Sequence, residues 1–249
     1  MKLHIPSYCA LLFYLITLSC HTIVHSQTNS KSNLYEWFDN TVGKENLGIN
    51  NGTLHVNPYQ TLNKTNNYYI ADAFSSGNVE YDGQLYYDVN LKYDIHRDIL
   101  VLKPYGEYNH MGLNLIKEKT AFFSINGKNF INLSYSKSPL PESINGFYEE
   151  IPIGEKFIFY VKYRKEKKKV MNNETAYYEF EEKKDFVLNY KDSFYKIDTK
   201  KEITTIFPQY KNKINDHYFM NKKLEKTDKK QFLENLMKQI NTFIQNDSN

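Results

Sequence analysis

The sequence predicts a mainly β protein: an antiparallel curved sheet, either a sandwich or a partial barrel, with a helical C-terminal tail. Three observations carry this prediction. Between about residues 51 and 197, apolar and polar side chains alternate with the period of a strand. Asp82-Gly83 and Asn126-Gly127 fit two-residue hairpin turns, whose central residues need positive φ. No helical pattern long enough for a parallel crossover separates the strands.

The first 26 residues have the pattern of a secretory signal peptide. Lys2 precedes an apolar run over residues 8–19, and Ser26 is a small residue at the expected cleavage point. A membrane-spanning helix is the alternative, but a dozen residues rise only about 18 Å, against about 30 Å of hydrocarbon. We therefore expect an exported protein that is periplasmic, associated with the outer membrane, or secreted.

Cys20 allows one other fate for the leader. Leu18-Ser19-Cys20 resembles the end of a lipobox, in which Cys20 would be acylated, but Thr17 fits that motif poorly. Cleavage after Ser26 is the favoured alternative, and it removes both Cys9 and Cys20. The mature chain is then free of cysteine, so we expect neither a disulfide nor a thiolate nucleophile.

A short amphipathic helix is expected directly after the leader. Apolar side chains recur at helical spacing in Leu34, Trp37, Phe38 and Val42, and Gly43 follows as a stop signal. Trp37 is expected to pack against the sheet that follows.

Most of the remaining chain is predicted as strands, among which the segment 85–93 alternates most regularly. The predicted strands cover residues 53–56, 68–74, 79–81, 85–93, 99–103, 113–117, 121–125, 128–133, 147–151, 157–163, 175–181, 186–190 and 194–197. Within 85–93, strict alternation puts Leu85 and Tyr87 on the same face as Val89, Leu91 and Tyr93.

The tail after residue 198 changes to helical spacing. Thr199 and Glu202 form a capping-box pattern ahead of a short helix that ends at Pro208, and a second helix is expected near 209–218. Asp228 caps a longer helix with one apolar stripe. We therefore divide the chain into a signal peptide (1–26), a β domain with a short N-terminal helix (27–198) and two to three helices packed on it (199–249).

Two stretches, residues 77–94 and 207–214, resemble uncharacterised exported proteins common in Bacteroidota. Those proteins share an export leader, a Tyr-rich strand region with a "YDG…YYDV.LKYD" phrase, and a helical tail after an "FP.YK..I" phrase. The resemblance implies an envelope location and a shared fold. It implies no established activity, so it assigns no functional residue.

Catalytic and metal-binding patterns are absent from the sequence. The acids Asp88, Asp94 and Asp98 surround His96, but residues 94–98 fit a tight polar turn in which Asp accepts backbone hydrogen bonds. No calcium-loop, His-Glu-x-x-His, nucleophile-elbow or phosphate-loop spacing occurs. We expect no catalytic residue, no metal and no cofactor.

Charge and aromatic content suggest where binding could occur. The formal net charge is only +3, and basic and acidic residues are interspersed along the chain. Nucleic acid is therefore not an expected partner. Arg164, Lys165, Lys167, Lys168 and Lys169 form a basic run. Such a run is usually a solvated hairpin tip or strand end, and its functional interpretation is contact with an anionic membrane surface.

Tyr86 and Tyr87 are the candidate aromatic contacts, because adjacent tyrosines on a strand present apolar area and a hydroxyl to both faces. Our preferred hypothesis is an exported, non-catalytic binding or accessory protein in the envelope. Its ligand would be apolar or amphiphilic, or its partner would be an envelope protein or lipid. The alternative to a binding role is that the aromatic residues, which make up 16% of the chain, simply fill the strands.

An envelope hydrolase is the second hypothesis. It requires at least two of five side chains from separate segments to converge within about 4–10 Å in one cleft, as acid-base catalysis needs. The five are Asp88, Asp94, His96, Asp98 and His110.

Overall fold

The computed structural model describes residues 27–63, 65–106, 111–136, 138 and 140–247. The predicted signal peptide, Cys20 and His110 lie outside the described residues. The chain divides into two compact units, Met1–Lys44 and Glu45–Asn249. The described part of the first contains the expected helix, α1 (Gln27–Val42). Trp37 in α1 is 63% exposed, and its packing against the sheet stays a prediction.

The second unit is built on one antiparallel sheet, which confirms the predicted fold class. In the described residues its eleven strands are β1 (Thr53–Leu54), β2 (Ser75–Tyr81), β3 (Gln84–Asp94), β4 (Ile99–Leu102), β5 (Leu113–Asn114), β6 (Thr120–Ile125), β7 (Lys128–Asn132), β8 (Phe147–Ile153), β9 (Phe157–Asn172), β10 (Thr175–Tyr190) and β11 (Ser193–Lys196). Their order across the sheet is β1-β5-β4-β3-β2-β6-β7-β8-β9-β10-β11. Two meanders therefore meet where β2 pairs with β6.

The two hairpin turns predicted from Asp-Gly and Asn-Gly are confirmed. Asp82 and Gly83 have φ of 53° and 79°, and Asn126 and Gly127 have φ of 51° and 70°. The same geometry closes two further hairpins without glycine. They are Asn173-Glu174 between β9 and β10 and Lys191-Asp192 between β10 and β11, where φ is 46°, 65°, 52° and 57° in chain order.

A bulge in β3 changes which tyrosine faces the core. The pairing of β2 with β3 shifts register between Gly77 and Val79, and Asp88 opposite this shift has φ of 50°. The alternation restarts there, so Tyr86 is buried in the core while Tyr87 is half-buried. The strict alternation predicted from Leu85 to Tyr93 is wrong before the bulge and right after it.

Several predicted strands also need correction. Residues 68–74 form no strand, and their only ladder contact is a bridge between Tyr68 and Asp94. The predicted strands 175–181 and 186–190 are one strand, β10. β9 continues through the basic run to Asn172, paired with β10 along this whole length, and Lys165 and Lys168 lie opposite Glu182 and Glu179.

The C-terminal helices pack on one face of the sheet. They are α2 (Lys200–Ile206), α3 (Lys211–Met220), α4 (Lys222–Thr227) and α5 (Lys229–Asn246), with a 3-10 turn at Pro208–Tyr210. These are four helices in the described tail, where the sequence predicts two to three. The capping box of α2 is confirmed, and Asp228 caps α5 through Gln231 N.

The main core lies between the sheet and α5. The buried stripe of α5 comprises Phe232, Leu233, Leu236, Met237 and Ile240. These side chains join the buried residues of the central strands in one apolar cluster, in which Phe123, Phe130 and Tyr93 contact one another ring to ring. Aromatic side chains therefore fill the interior of the sheet.

A buried ion cluster fixes α5 to the sheet. Lys230 Nζ lies 2.8 and 2.6 Å from the two carboxylate oxygens of Glu149 on β8, and Tyr163 OH donates to the same carboxylate at 2.6 Å. Lys128 adds a second cation at 3.1 Å. Burial alone would raise the pKa of Glu149, but the Lys230 and Tyr163 hydrogen bonds hold it below its ordinary value.

The opposite face of the sheet carries a smaller apolar cluster. It contains Leu133, Ile144, Tyr148, Tyr160 and Val187. This part of the sheet, the start of β8 and β9 and the end of β10, is thus covered on both faces. No helix in the described ranges combines the length and apolar character needed to cross a bilayer.

Candidate functional site

A groove of about 640 Å³ lies where β9 continues past the end of β8. β8 pairs with β9 only as far as Val161. Beyond that residue, the turn between β3 and β4 (residues 95–98) approaches β9. The side chains that line the groove, here called the cationic groove, are Ile95, His96, Arg97, Asp98, Lys117, Asn145, Lys162, Arg164, Lys165, Glu166 and Lys167. Six of them are basic and two are acidic.

Asp94 builds the turn that forms one wall. Its carboxylate is fully buried and accepts the backbone N–H groups of His96 and Arg97, both at 3.0 Å. Its other oxygen accepts Arg97 Nε and Asn67 Nδ2, each at 2.7 Å. The polar turn predicted at residues 94–98 is confirmed, and Asp94 is fully occupied in holding it.

Asp98 forms the floor. It accepts Lys162 Nζ at 2.7 Å and Tyr93 OH at 2.6 Å, and it is also bound by Lys117 Nζ. Burial would raise the pKa of Asp98, but the charges of Lys162 and Lys117 outweigh it, so this pKa lies below its ordinary value. One carboxylate thus faces two ammonium groups.

Gly146 leaves the space for this arrangement. A side chain at this position would collide with Asp98 Oδ2 and would lie 2.6 and 2.8 Å from the ammonium nitrogens of Lys117 and Lys162. Its φ of 77° also favours glycine.

Lys162 is the most deeply placed cation of the groove. Its side chain is 10% exposed, and it donates to Asn145 O at 3.0 Å in addition to Asp98. Burial lowers its pKa despite the attraction of Asp98. The contact with Asp98 therefore holds a partly dehydrated ammonium group in place.

Lys165 is held by neutral oxygens. Its Nζ donates to Tyr68 O at 2.6 Å and to Asn66 Oδ1 at 3.2 Å. Within the described ranges it has no carboxylate at ion-pair distance. Burial lowers the pKa of Lys165, and the more distant charges of Glu182 and Asp94 oppose this shift.

Lys167 lies over aromatic rings. Its Nζ is 5.0 Å from the ring centre of Tyr59 and 5.5 Å from that of Tyr178. Tyr59 also contacts the rings of His96 and Phe180 edge to face. These rings attract the ammonium group without neutralising its charge, so Lys167 can attract a further anion.

The basic run predicted from sequence is divided by this geometry. Arg164, Lys165 and Lys167 line the cationic groove, whereas Lys168 and Lys169 lie exposed farther along β9. Arg164 is paired with Asp185 at 2.5 and 2.9 Å. The run is not at the hairpin tip, which is formed by Asn173 and Glu174.

Tyr86 and Tyr87 lie away from the groove, on β3. Tyr86 is 3% exposed and belongs to the main core. The structure therefore does not bring the two tyrosines together with the basic residues.

The hydrolase candidates are only partly brought together. His96 and Asp98 line the groove with Asp94 beneath them, while Asp88 lies at the bulge of β3, 3.4 Å from Ser76 Oγ. His96 Nδ1 lies 2.7 Å from the carbonyl oxygen of Lys165, so that nitrogen carries the proton. Asp94 and Asp98 each accept hydrogen bonds from cationic side chains, Arg97 and Lys162 respectively, so both carboxylates are already engaged in structural contacts.

Sequence reasoning missed three basic residues of the groove, Arg97, Lys117 and Lys162. Lys162 had a readable signal, because it is a lysine inside a strand that is otherwise apolar on both faces. Arg97 and Lys117 had none, since they come from separate turns that only the sheet topology brings near β9.

No group of three or more metal-binding side chains comes together in the part of the chain that the structure describes. Comparison with protein-family models, with curated proteins and with solved structures gave no match.

Proposed function

We propose that this is an exported, non-catalytic binding protein of the cell envelope that recognises an anionic group, a carboxylate or a phosphate, in the cationic groove. Export is supported by the leader pattern of residues 1–26. A mature N-terminus at Gln27, found by mass spectrometry, supports export with cleavage, whereas an acylated Cys20 supports the lipoprotein alternative.

The observation that carries the proposal is the charge left over in the groove. Arg97 is neutralised by Asp94, Arg164 by Asp185, and Lys117 and Lys162 share Asp98. Lys165 and Lys167 have no such partner among the described residues. Two nearby cations that form no ion pair, in a concave site, attract an anion more strongly than they would on an open surface.

The positions of the aromatic side chains favour recognition of a ligand by charge over recognition by an apolar cavity. The rings of the central strands contact one another and α5, so most of their area is used in the core. Near the groove, the rings of Tyr59 and Tyr178 lie beneath Lys167.

Binding to two anionic probes tests this function. Poly-L-glutamate presents carboxylates, and phosphatidylglycerol vesicles present phosphates, with phosphatidylcholine vesicles as the neutral control. We expect the parent to bind at least one anionic probe, with affinity that falls as salt rises. The double substitution Lys165→Ser and Lys167→Ser should weaken binding by about tenfold or more, at roughly 1 kcal/mol per lysine.

The matched control changes the same charge elsewhere. Lys223→Ser and Lys226→Ser alter two exposed lysines of α4 and should leave binding unchanged. Lys165 also donates a hydrogen bond to Tyr68 O, so its substitution could disturb the structure. The single variant Lys167→Ser leaves that hydrogen bond in place and gives an independent measurement of binding. Failure of the parent to bind either probe, or equal loss in the α4 control, would refute anion recognition in the groove.

A further inference from the structure

The β9 strand has an open backbone edge beside the cationic groove. β9 is 16 residues long, but β8 covers only its first part, to Val161. The hairpin closes through the two-residue turn Asn173-Glu174, so Asn172 and Thr175 form a hydrogen-bonded pair. Such pairs recur at every second residue. The backbone N–H and C=O groups of even-numbered β9 residues therefore bond to β10, and those of odd-numbered residues point away from β10.

The first part of this edge is already occupied. Lys165 N–H donates to Ile95 O at 3.3 Å, and its carbonyl accepts from His96 Nδ1 at 2.7 Å. The β3–β4 turn thus acts as a partner strand for one residue. Beyond it, the edge groups of Lys167, Lys169 and Met171 have no main-chain partner within the described residues, and all three side chains are exposed.

The other edge of the same hairpin, on β10, is partly covered by main-chain hydrogen bonds. Tyr178 N–H on β10 donates to Gln60 O at 2.8 Å, and Leu62 N–H donates to Tyr178 O at 3.3 Å. A segment of the chain therefore covers β10, while β9 stays open at residues 167–171. An open edge offers three N–H and three C=O groups to an added strand.

Charge restricts what can pair there. Residues 164–169 carry five basic side chains and one acidic one, Glu166, whereas β10 carries the acids Glu179, Glu181, Glu182 and Asp185 beside two lysines, Lys183 and Lys184. A second copy of β9 would place lysines opposite lysines, which destabilises strand pairing. The edge instead complements a negatively charged strand.

The alternation of β9 gives the expected pattern of that partner. Lys167 and Lys169 face one side, near the rings of Tyr59 and Tyr178, and Lys168 faces the other. Acidic side chains on either face of an added strand would each meet a lysine. We propose that residues 167–171 of β9 bind an acidic, extended peptide segment as an additional β-strand.

Strand addition at this edge rests on the proposed function, because the groove supplies the attraction that brings the acidic segment to β9. It adds two requirements that simple anion binding lacks. The partner must have free backbone N–H groups, and β9 must keep the N–H of Lys169 accessible.

Two modifications of the backbone test these requirements. The probe is a short fluorescent peptide in which Glu and Val alternate, and its matched control carries N-methyl groups on alternate residues. We expect the N-methylated peptide to bind the parent about tenfold more weakly, since each lost hydrogen bond costs about 1 kcal/mol. Fluorescence anisotropy gives both dissociation constants.

The variant Lys169→Pro removes an N–H that points away from β10, a position where an edge strand tolerates proline. Lys169→Ser removes the same charge and keeps the N–H. We expect Lys169→Pro to bind the unmodified peptide about tenfold more weakly than Lys169→Ser does. Circular dichroism confirms that each variant is folded, and the N-methyl comparison on the parent does not depend on any variant.

The outcomes separate the two proposals. Equal binding of both peptides would overturn strand addition and leave anion recognition standing. Binding of phosphatidylglycerol vesicles without binding of either peptide would also overturn strand addition, in favour of a membrane surface. No binding of peptides, poly-L-glutamate or vesicles would overturn the proposed function itself.

Discussion

Asp98 determines how much positive charge the groove retains. It is a single carboxylate bound by Lys162 and Lys117, with Tyr93 OH as a third donor. Its backbone is left-handed, at φ of 58°. Gly146 and Asp98 therefore act together: one gives the space and the other holds the cations.

Gly146→Ala should disturb this arrangement more than an ordinary glycine substitution. Gly83→Ala is the matched control, because Gly83 has φ of 79° and a β-carbon added there would meet nothing within 4 Å. We expect Gly83→Ala to lower the free energy of unfolding by about 1 kcal/mol from backbone strain. Gly146→Ala should cost about 3 kcal/mol, because it also separates the buried ion pairs. Urea unfolding measures both, and equal losses would contradict the role of Gly146.

Glu149 should make the protein sensitive to acid. Its pKa is depressed in the folded state, so its stabilising effect is complete above the ordinary carboxyl pKa of about 4.3 and is lost as pH falls through the folded value. Glu149→Gln removes this titration. We expect the variant to be less stable than the parent at pH 7, by about 3 kcal/mol, and to lose less further stability between pH 5 and pH 2.

Urea unfolding at several pH values checks this prediction. Glu155→Gln, at an exposed position, is the control and should follow the parent. Asp98 also has a depressed pKa, so some acid dependence should persist in Glu149→Gln. Parallel loss of stability in parent and Glu149→Gln between pH 5 and pH 2 would show that the cluster does not act as described.

At the scale of elements, the hairpin of β9 and β10 is the feature that sequence patterns described least well. Its turn has Asn173 and Glu174 in left-handed conformations, so the glycine that normally marks such a turn is missing. Its strands carry charge on both faces, which resembles a loop in composition. The pairing of β9 with β10 keeps it extended. Lys168 lies opposite Glu179 and Lys165 opposite Glu182, although Arg164 lies opposite Lys183 and Glu166 opposite Glu181.

Replacing Glu174 by glycine should stabilise this hairpin. A non-glycine residue with positive φ costs about 1–2 kcal/mol, and the greater freedom of glycine in the unfolded chain offsets part of that gain. We expect Glu174→Gly to raise the free energy of unfolding by about 0.5–1 kcal/mol. Gly127→Ala makes the reverse change in the turn between β6 and β7 and should lower it by a similar amount. A neutral or destabilising Glu174→Gly would mean that Glu174 has a compensating contact.

For the whole molecule, local sequence patterns predicted most strands, turns and helices. They did not predict the features that depend on how the strands pair with one another. The Asp-Gly and Asn-Gly turns, the capping box at Thr199 and the apolar stripe of the last helix were all readable, because each depends on neighbouring residues. The bulge at Asp88 was not readable, since it depends on the register between β2 and β3. Its consequence, the burial of Tyr86, was missed with it.

The candidate site was likewise only partly predictable from local sequence patterns. The basic run on β9 was visible in sequence, but the groove also needs Arg97 from the β3–β4 turn and Lys117 from the segment before β6. The sheet order brings these distant segments together through long-range pairing, which leaves no local mark on the sequence. That Lys165 and Lys167 form no ion pair within the described residues likewise depends on side-chain positions that composition does not record.

Hydrogen–deuterium exchange with and without poly-L-glutamate tests the central claim most directly, because it locates the bound anion on the whole folded chain. We predict slower exchange in residues 95–98 and 162–171, where the turn and β9 form the cationic groove and its open edge. The lysines of α4 should show no change. Unchanged exchange in both segments, or slowing confined to other parts of the sheet or to the helices, would contradict the assignment of this groove as the binding site.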